Sequence, residues 1–128
     1  IMEELELLKE NYHFRIFPSI RFKAFLVLLK NCEFIIGNSS AGVREAPFYA
    51  VPAINIGTRQ NGRYLHTTII DVTESKEKIL SAMEKVKDLK PESSNHFGDG
   101  RSTERFMMVL KSDRVWKETI QKQFMDLK

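Results

Sequence analysis

The segment best suited to chemistry is Gly37-Asn38-Ser39-Ser40-Ala41-Gly42-Val43-Arg44-Glu45-Ala46-Pro47. It follows an apolar run and precedes a helix-like stretch, so its small side chains leave backbone N–H groups accessible where the positive end of a helix dipole falls. Such a place receives an anion. The hydroxyls of Ser39 and Ser40 add donors, and Gly42 lets backbone be approached closely. One of the serines can equally be a plain helix N-cap, and spacing alone does not separate the two readings. The run is neither a Walker loop, which requires Gly-Lys-Ser/Thr, nor a GxGxxG fingerprint.

Two charged residues could converge on the same mouth. Glu45 falls about one turn inside the helix, near enough to accept hydrogen bonds from hydroxyl groups, and it also suits the dipole as a plain acidic first-turn residue. Arg59, in Gly57-Thr58-Arg59-Gln60, leaves the next apolar run. A guanidinium there fits a diphosphate, although loop arginines are more commonly just solvated. His13, His66 and His96 sit in unrelated segments without metal-ligand spacing, so they read as structural or surface residues and no metal or other cofactor is expected. Cys32 has no paired base nearby in sequence and reads as a core thiol rather than a nucleophile. No local pair of carboxylates reads as an acid/base couple.

The elements that must position these residues follow from periodicity. Met2, Leu5 and Leu8 lie at helical spacing, with Asn11 as a stop, and Phe14-Arg15-Ile16-Phe17 reads as a short strand ended by Pro18. Ser19 can cap a helix in which Phe22, Phe25, Leu26 and Leu29 form the apolar stripe. Three apolar runs, 33–37, 52–57 and 67–72, read as strands covered on both faces, with a short helix from Ala41 to Tyr49 between the first two. A helix around Ile79, Leu80, Met83 and Val86 follows, then a polar loop from Pro91 to Gly100. Two more helical stretches hold Phe106, Val109 and Leu110, then Trp116, Ile120, Phe124 and Leu127. Strands alternating with helices predict an α/β, Rossmann-like parallel sheet with flanking helices. Ligands in such sheets sit beyond the carboxyl ends of the strands, here the loops after Phe17, Gly37 and Gly57.

Composition narrows the function classes. With 128 residues, 42% hydrophobic and 29% charged, the chain has enough apolar surface for one modest core, which excludes wholesale disorder. Lys and Arg total 20 against 17 Asp and Glu, and the +3 balance is spread as +2 over residues 1–64 and +1 over the remainder, so there is no basic arm and no nucleic acid is expected. A single cysteine excludes an internal disulfide framework and points to an intracellular, cytoplasmic setting. The longest apolar stretch, Phe22 to Phe34, is broken by Lys23 and Lys30, so no membrane span is expected. The opening Ile1-Met2-Glu3-Glu4 lacks the basic flank of a secretory signal and suggests a piece of something longer.

The runs Phe34-Ile35-Ile36-Gly37-Asn38-Ser39-Ser40-Ala41-Gly42-Val43-Arg44-Glu45-Ala46-Pro47 and Val51-Pro52-Ala53-Ile54-Asn55-Ile56-Gly57-Thr58-Arg59-Gln60-Asn61-Gly62-Arg63 closely resemble the UDP-N-acetylglucosamine 2-epimerases. Phe17-Pro18-Ser19-Ile20-Arg21-Phe22 and Phe97-Gly98-Asp99-Gly100-Arg101 resemble flanking signatures of that family, so the likeness spans about Phe14 to Leu110. The resemblance implies most of the carboxyl-terminal half of a GT-B architecture. It divides the chain into residues 1–112, a partial nucleotide-binding domain, and residues 113–128, a terminal helix packing across the domain junction. By the same resemblance Ser39 and Ser40 would hold the phosphates of UDP or UDP-N-acetylglucosamine, Glu45 the ribose hydroxyls, and Arg59 would support the nucleotide site. Ile20 and Phe25 would border the uracil.

The Ser-Ser and Gly-Thr-Arg-Gln-Asn-Gly-Arg wording resembles the hydrolysing branch, which makes N-acetylmannosamine and UDP for sialic-acid-type sugars, whereas the non-hydrolysing branch reads Ser-Gly-Gly where this chain has Ser39-Ser40-Ala41. Family members carry their catalytic carboxylates in an amino-terminal domain and a histidine near the start of the second. His13 is not in that motif, so no catalytic residue is assigned in this chain, which is expected to be inactive alone. Its expected partners are the nucleotide and the missing amino-terminal domain; a homo-oligomer is compatible with the sequence. A non-hydrolysing UDP-N-acetylglucosamine 2-epimerase, a non-catalytic nucleotide-sugar-binding module, a purely structural interaction domain and a glycosyltransferase of the same architecture are the competing readings.

Overall fold

The structure is a computed structural model of the chain and describes residues 2–90, 92–117 and 121. It divides into two compact units, 1–94 and 95–128, with the boundary in the polar loop.

In the first unit, helix α1 spans Met2–Leu8, where the apolar spacing predicts one. The strand expected at Phe14–Phe17 does not form: the chain there is irregular, and Phe14, Ile16 and Phe17 are exposed. A four-residue run becomes a strand only when a neighbour takes its backbone hydrogen bonds, and no described strand pairs with it. Helix α2 runs Phe22–Asn31. It starts two positions later than a Ser19 cap would place it, because Arg21 O accepts the first helical bond, from Phe25 N–H at 3.0 Å.

Three parallel strands follow, β1 (Ile35–Gly37), β2 (Ala53–Ile56) and β3 (Ile69–Val72), in the order β1-β2-β3. Helix α3 (Ala41–Phe48) links β1 to β2, and α4 (Lys76–Val86) follows β3. Period-two alternation divides the side chains. Ala53, Ile35 and Ile69 pack with Leu29, Ala46, Val51, Phe25 and Leu26 beneath α2 and α3, while Ile54, Ile56, Ile70 and Val72 pack with Ala82, Met83 and Val86 of α4. The result is a three-layer α/β unit, as the alternation of runs predicts.

Coverage on both faces, expected for all three strands, is complete at β2, partial at β3 and lacking on one face of β1. Ile54 is 1% exposed, whereas Ile36, its register partner on β1, is 42% exposed, because α4 lies over β2 and β3 and not over β1. Helix α3 is closed by a Schellman-type turn. Val51 N–H donates to Ala46 O at 2.9 Å and Ala50 N–H to Pro47 O at 3.1 Å, with Ala50 in the left-handed region at φ 56°. That turn aims the chain directly into β2.

In the second unit, α5 (Ser102–Lys111) and α6 (Asp113–Lys117) follow one another. Trp116 is 72% exposed, although its indole N–H donates to Leu110 O at 2.9 Å. Ile120, Phe124 and Leu127, expected on the last helical face, lie outside the described residues.

Gly42 sets how closely α3 meets the sheet. A Cβ built on it would touch Ala53 Cβ at 3.5 Å and Ile35 Cγ2 at 3.9 Å, so a methyl fits in ordinary van der Waals contact with both strands. Gly42→Ala is expected to stay within about 1 kcal/mol of the parent, the helix-propensity scale. Gly42→Leu is expected to cost about 1–3 kcal/mol through overpacking, read from urea unfolding midpoints.

Candidate functional site

The site is built at the carboxyl ends of the strands, where Gly37, Asn55 and Asp71 are in register across β1, β2 and β3. Gly37 leaves β1 with φ at +147°, a conformation open to glycine and not to other residues, and hands the chain to Asn38, Ser39 and Ser40. Ser39 Oγ accepts Ala41 N–H at 3.3 Å, so part of the N-cap role falls to Ser39. Ser40 occupies the N-cap position itself, half-buried, and its side chain makes no capping bond. The first turn closes through Gly42 N–H to Ser39 O at 3.2 Å and Arg44 N–H to Ser40 O at 2.9 Å. Among the described residues the backbone N–H groups of Ser39 and Ser40 and the Ser40 hydroxyl have no partner. Three donors thus stand at the positive end of α3, a cradle suited to an anion.

The loop after β2 reaches across to this cradle. Gly57, at φ +78°, turns the chain away from the sheet, and a Cβ there would meet Glu74 Oε1 at 3.0 Å. Arg59 Nη1 donates to Asn38 O at 3.3 Å, so the convergence expected of Arg59 is met while the rest of its exposed guanidinium remains available. Gln60 Nε2 donates to the same oxygen at 2.8 Å. Gln60 is 3% exposed and was not singled out by sequence reasoning; its burial arises only because two loops 22 residues apart meet. Asn55, 2% exposed, was also passed over, although a lone amide inside Pro52-Ala53-Ile54-Asn55-Ile56 is a visible signal. Its Nδ2 donates to Asp71 Oδ1 at 2.6 Å.

The other expected residues fall into place around this arrangement. Glu45 is half-buried on α3, about 7.5 Å along the axis from Ser40, and its carboxylate has no partner among the described residues. Gly42 faces β1 and β2, so the close approach it permits is that of the sheet. Phe25 packs on the first core cluster and stacks with Phe22 at 6.3 Å between centroids. Ile20 is half-buried just ahead of α2. A cleft of about 400 Å³ opens between the loop after β2 and the end of β3, lined by Gly57, Thr58, Asn61, Asp71, Thr73 and Glu74.

Cys32 corrects an expectation. It is exposed and caps α2, its Sγ donating to Leu29 O at 3.1 Å, because the helix ends one residue before it and turns it outward. Partial burial of the thiol pushes its pKa up, so it is a weak nucleophile at neutral pH. His66 Nδ1 pairs with Thr68 Oγ1 at 2.8 Å. Among the described residues no three His, Cys, Asp or Glu side chains gather as a metal site, and no helix is long and apolar enough to cross a membrane.

In the second unit the segment Phe97-Gly98-Asp99-Gly100-Arg101 forms the entrance to α5. Asp99 Oδ1 accepts Arg101 N–H at 3.1 Å, and its Oδ2 accepts Arg105 Nη2 at 2.8 Å. The Arg101 amide, with the Arg105 charge behind it, holds the Asp99 carboxyl below the usual carboxylate range. A carboxyl depressed on folding contributes stability above its unfolded value, and that contribution is lost as pH falls through the folded value. Protection of the amides in the first turn of α5, taken relative to their intrinsic exchange rates at each pH, is therefore expected to fall on acidification below the ordinary aspartate range in the parent. In Asp99→Asn, whose side chain does not titrate, that acid-dependent step should vanish.

A parallel sheet whose strand ends carry an open helix N-terminus defines a Rossmann-like α/β layer, of the kind the GT-B architecture uses for nucleotide sugars. Comparison with known proteins narrows this. The family described as UDP-N-acetylglucosamine 2-epimerase matches residues 1–111, and the chain belongs to that family. A UDP-N-acetylglucosamine 2-epimerase of Neisseria meningitidis serogroup B is 47% identical over 127 residues, covering 95% of this chain and 34% of the relative. A UDP-N,N'-diacetylbacillosamine 2-epimerase (hydrolyzing) of Legionella pneumophila is 32% identical, over 84% of this chain and 29% of the relative. The crystal structure of Methanocaldococcus jannaschii UDP-GlcNAc 2-epimerase, in complex with UDP-GlcNAc and UDP, is similar with a TM-score of 0.69 and 31% identity, over 84% of this chain and 30% of that one. The chain thus spans about a third of the length of these relatives.

Proposed function

We propose that this chain is the UDP-holding part of a UDP-N-acetylglucosamine 2-epimerase of the hydrolysing branch, acting in the cytoplasm in sialic-acid-type sugar synthesis. The observation that carries the reading is the set of unengaged donors at Ser39 and Ser40, with the Arg59 guanidinium reaching the same loop. The diphosphate sits on the Ser39 and Ser40 donors, above the backbone that Gly42 keeps close to the sheet, and Arg59 offsets its charge. Glu45, whose carboxylate has no partner among the described residues, accepts from the ribose hydroxyls. Ile20 and Phe25 border the uracil.

The chemistry is loss of UDP from C1 and of the C2 proton to give a glycal, followed by addition of water, which puts hydroxyl on C1 and a proton on C2 with inverted configuration. The donors at Ser39, Ser40 and Arg59 stabilise charge developing on the departing UDP. The proton transfers need positioned acids and bases, which this reading assigns to the rest of the polypeptide, since relatives are about three times as long. The name of the Legionella relative supports hydrolysis, as does the Ser39-Ser40 wording.

Titration calorimetry with UDP tests the binding half. Loss of a charged hydrogen-bond partner is worth about 1.5–3 kcal/mol, so Glu45→Ala and Arg59→Ala should each weaken UDP binding about 10- to 100-fold. Product analysis by NMR on the full-length polypeptide tests the chemistry: free N-acetylmannosamine with UDP supports hydrolysis, and UDP-N-acetylmannosamine identifies the non-hydrolysing branch instead.

A further inference from the structure

We propose that Gln60 is a positioning residue: its buried amide turns the Asn38–Ser39 peptide so that the Ser39 N–H is presented to the diphosphate. The inference rests on the nucleotide reading above and assigns Gln60 a role exercised through the Asn38–Ser39 peptide.

Three observations carry it. Gln60 Nε2 donates to Asn38 O at 2.8 Å and Arg59 Nη1 to the same oxygen at 3.3 Å, so both lone pairs of that carbonyl are held toward the loop after β2. No described peptide is cis. In a planar trans peptide the C=O and the following N–H point in opposite directions, so fixing Asn38 O toward Gln60 directs Ser39 N–H away from it, and that N–H has no partner among the described residues. Finally, Gln60 Oε1 is buried with no hydrogen-bond partner among the described residues.

The third observation shows which end of the amide the protein engages, since among the described residues only the donor end has a partner. What the residue supplies is its donor end, at one particular peptide. The alternative orientation of that peptide would be harmful to an anion site. Turned over, the Asn38 carbonyl dipole would oppose the bound charge, and the cradle would lose one of its three donors. Asn38 and Ser39 are short polar residues of the kind that tolerate turn conformations of several types, so the loop does not enforce its own geometry. Arg59 makes its contact from an exposed position, and Gln60 makes its contact from inside, where it cannot exchange with water.

The test is made on this chain within its full-length polypeptide, comparing the parent with Gln60→Met, which keeps the volume without a donor, and Gln60→Glu, which keeps the shape with an acceptor only. UDP and uridine are titrated against each, with the Ser39 amide followed by NMR and melting temperatures recorded. Gln60→Met should weaken UDP binding about tenfold, the worth of one aligned donor. Gln60→Glu should weaken it further, uridine affinity should be unchanged in both, and the UDP-induced downfield shift of the Ser39 amide should be lost. A variant that binds UDP as the parent does, or that loses UDP and uridine affinity in equal proportion, overturns the assignment. Failure of the nucleotide reading looks different: the parent itself then binds no UDP at millimolar concentration, which overturns both.

Discussion

Enclosure of β2 on both faces is the constraint on which the strand-end geometry rests. Its backbone pairs with a neighbour on each side, and its side chains meet α3 on one face and α4 on the other. A slip of one residue would drive Ile54 toward Gly42, where a single methyl already fills the space, and would expose Ala53 to the α4 face. Register is therefore set by packing, and register is what holds Gly37, Asn55 and Asp71 level. The two loops that build the cradle start from the same height for that reason.

The same enclosure explains which polar groups are trapped. Asn55 lies in the buried strand and must find a partner inside the protein, which it does in Asp71 on the adjoining strand. Gln60 is drawn under the loop after β1 and spends its donor on Asn38 O. Both leave a buried amide oxygen without a partner among the described residues. Local stability would favour apolar residues at such positions. Polar residues there, beside an open helix N-terminus, mark the region where the fold gives up some stability to shape a surface.

The second unit holds a family-like motif of its own. The Phe97-Gly98-Asp99-Gly100-Arg101 segment is accounted for by helix entry: Asp99 ties the Arg101 amide and the Arg105 side chain while Gly98 and Gly100 take positive φ angles. Motif likeness identified the segment, and these hydrogen bonds account for its aspartate.

Elements that depend on neighbours in sequence were legible in the chain itself. Apolar periodicity located α1, α2, α3, α4 and α5 and the three runs that pair as strands, because a helix face repeats every few residues whatever surrounds it. The place of the Gly37–Ser40 turn was legible for a similar reason, since small polar residues between an apolar run and a helix-like stretch mark a turn whatever surrounds them. Phe14–Phe17 carried the pattern of a strand and is not one, as the hydrogen bonds a strand needs come from another segment. The exposure of Ile36, the outward turn of Cys32, and the meeting of Arg59 and Gln60 at Asn38 O were not legible. Each depends on which surfaces touch across the fold, and burial and hydrogen-bond partnership between residues far apart in the chain are created only when the layers pack.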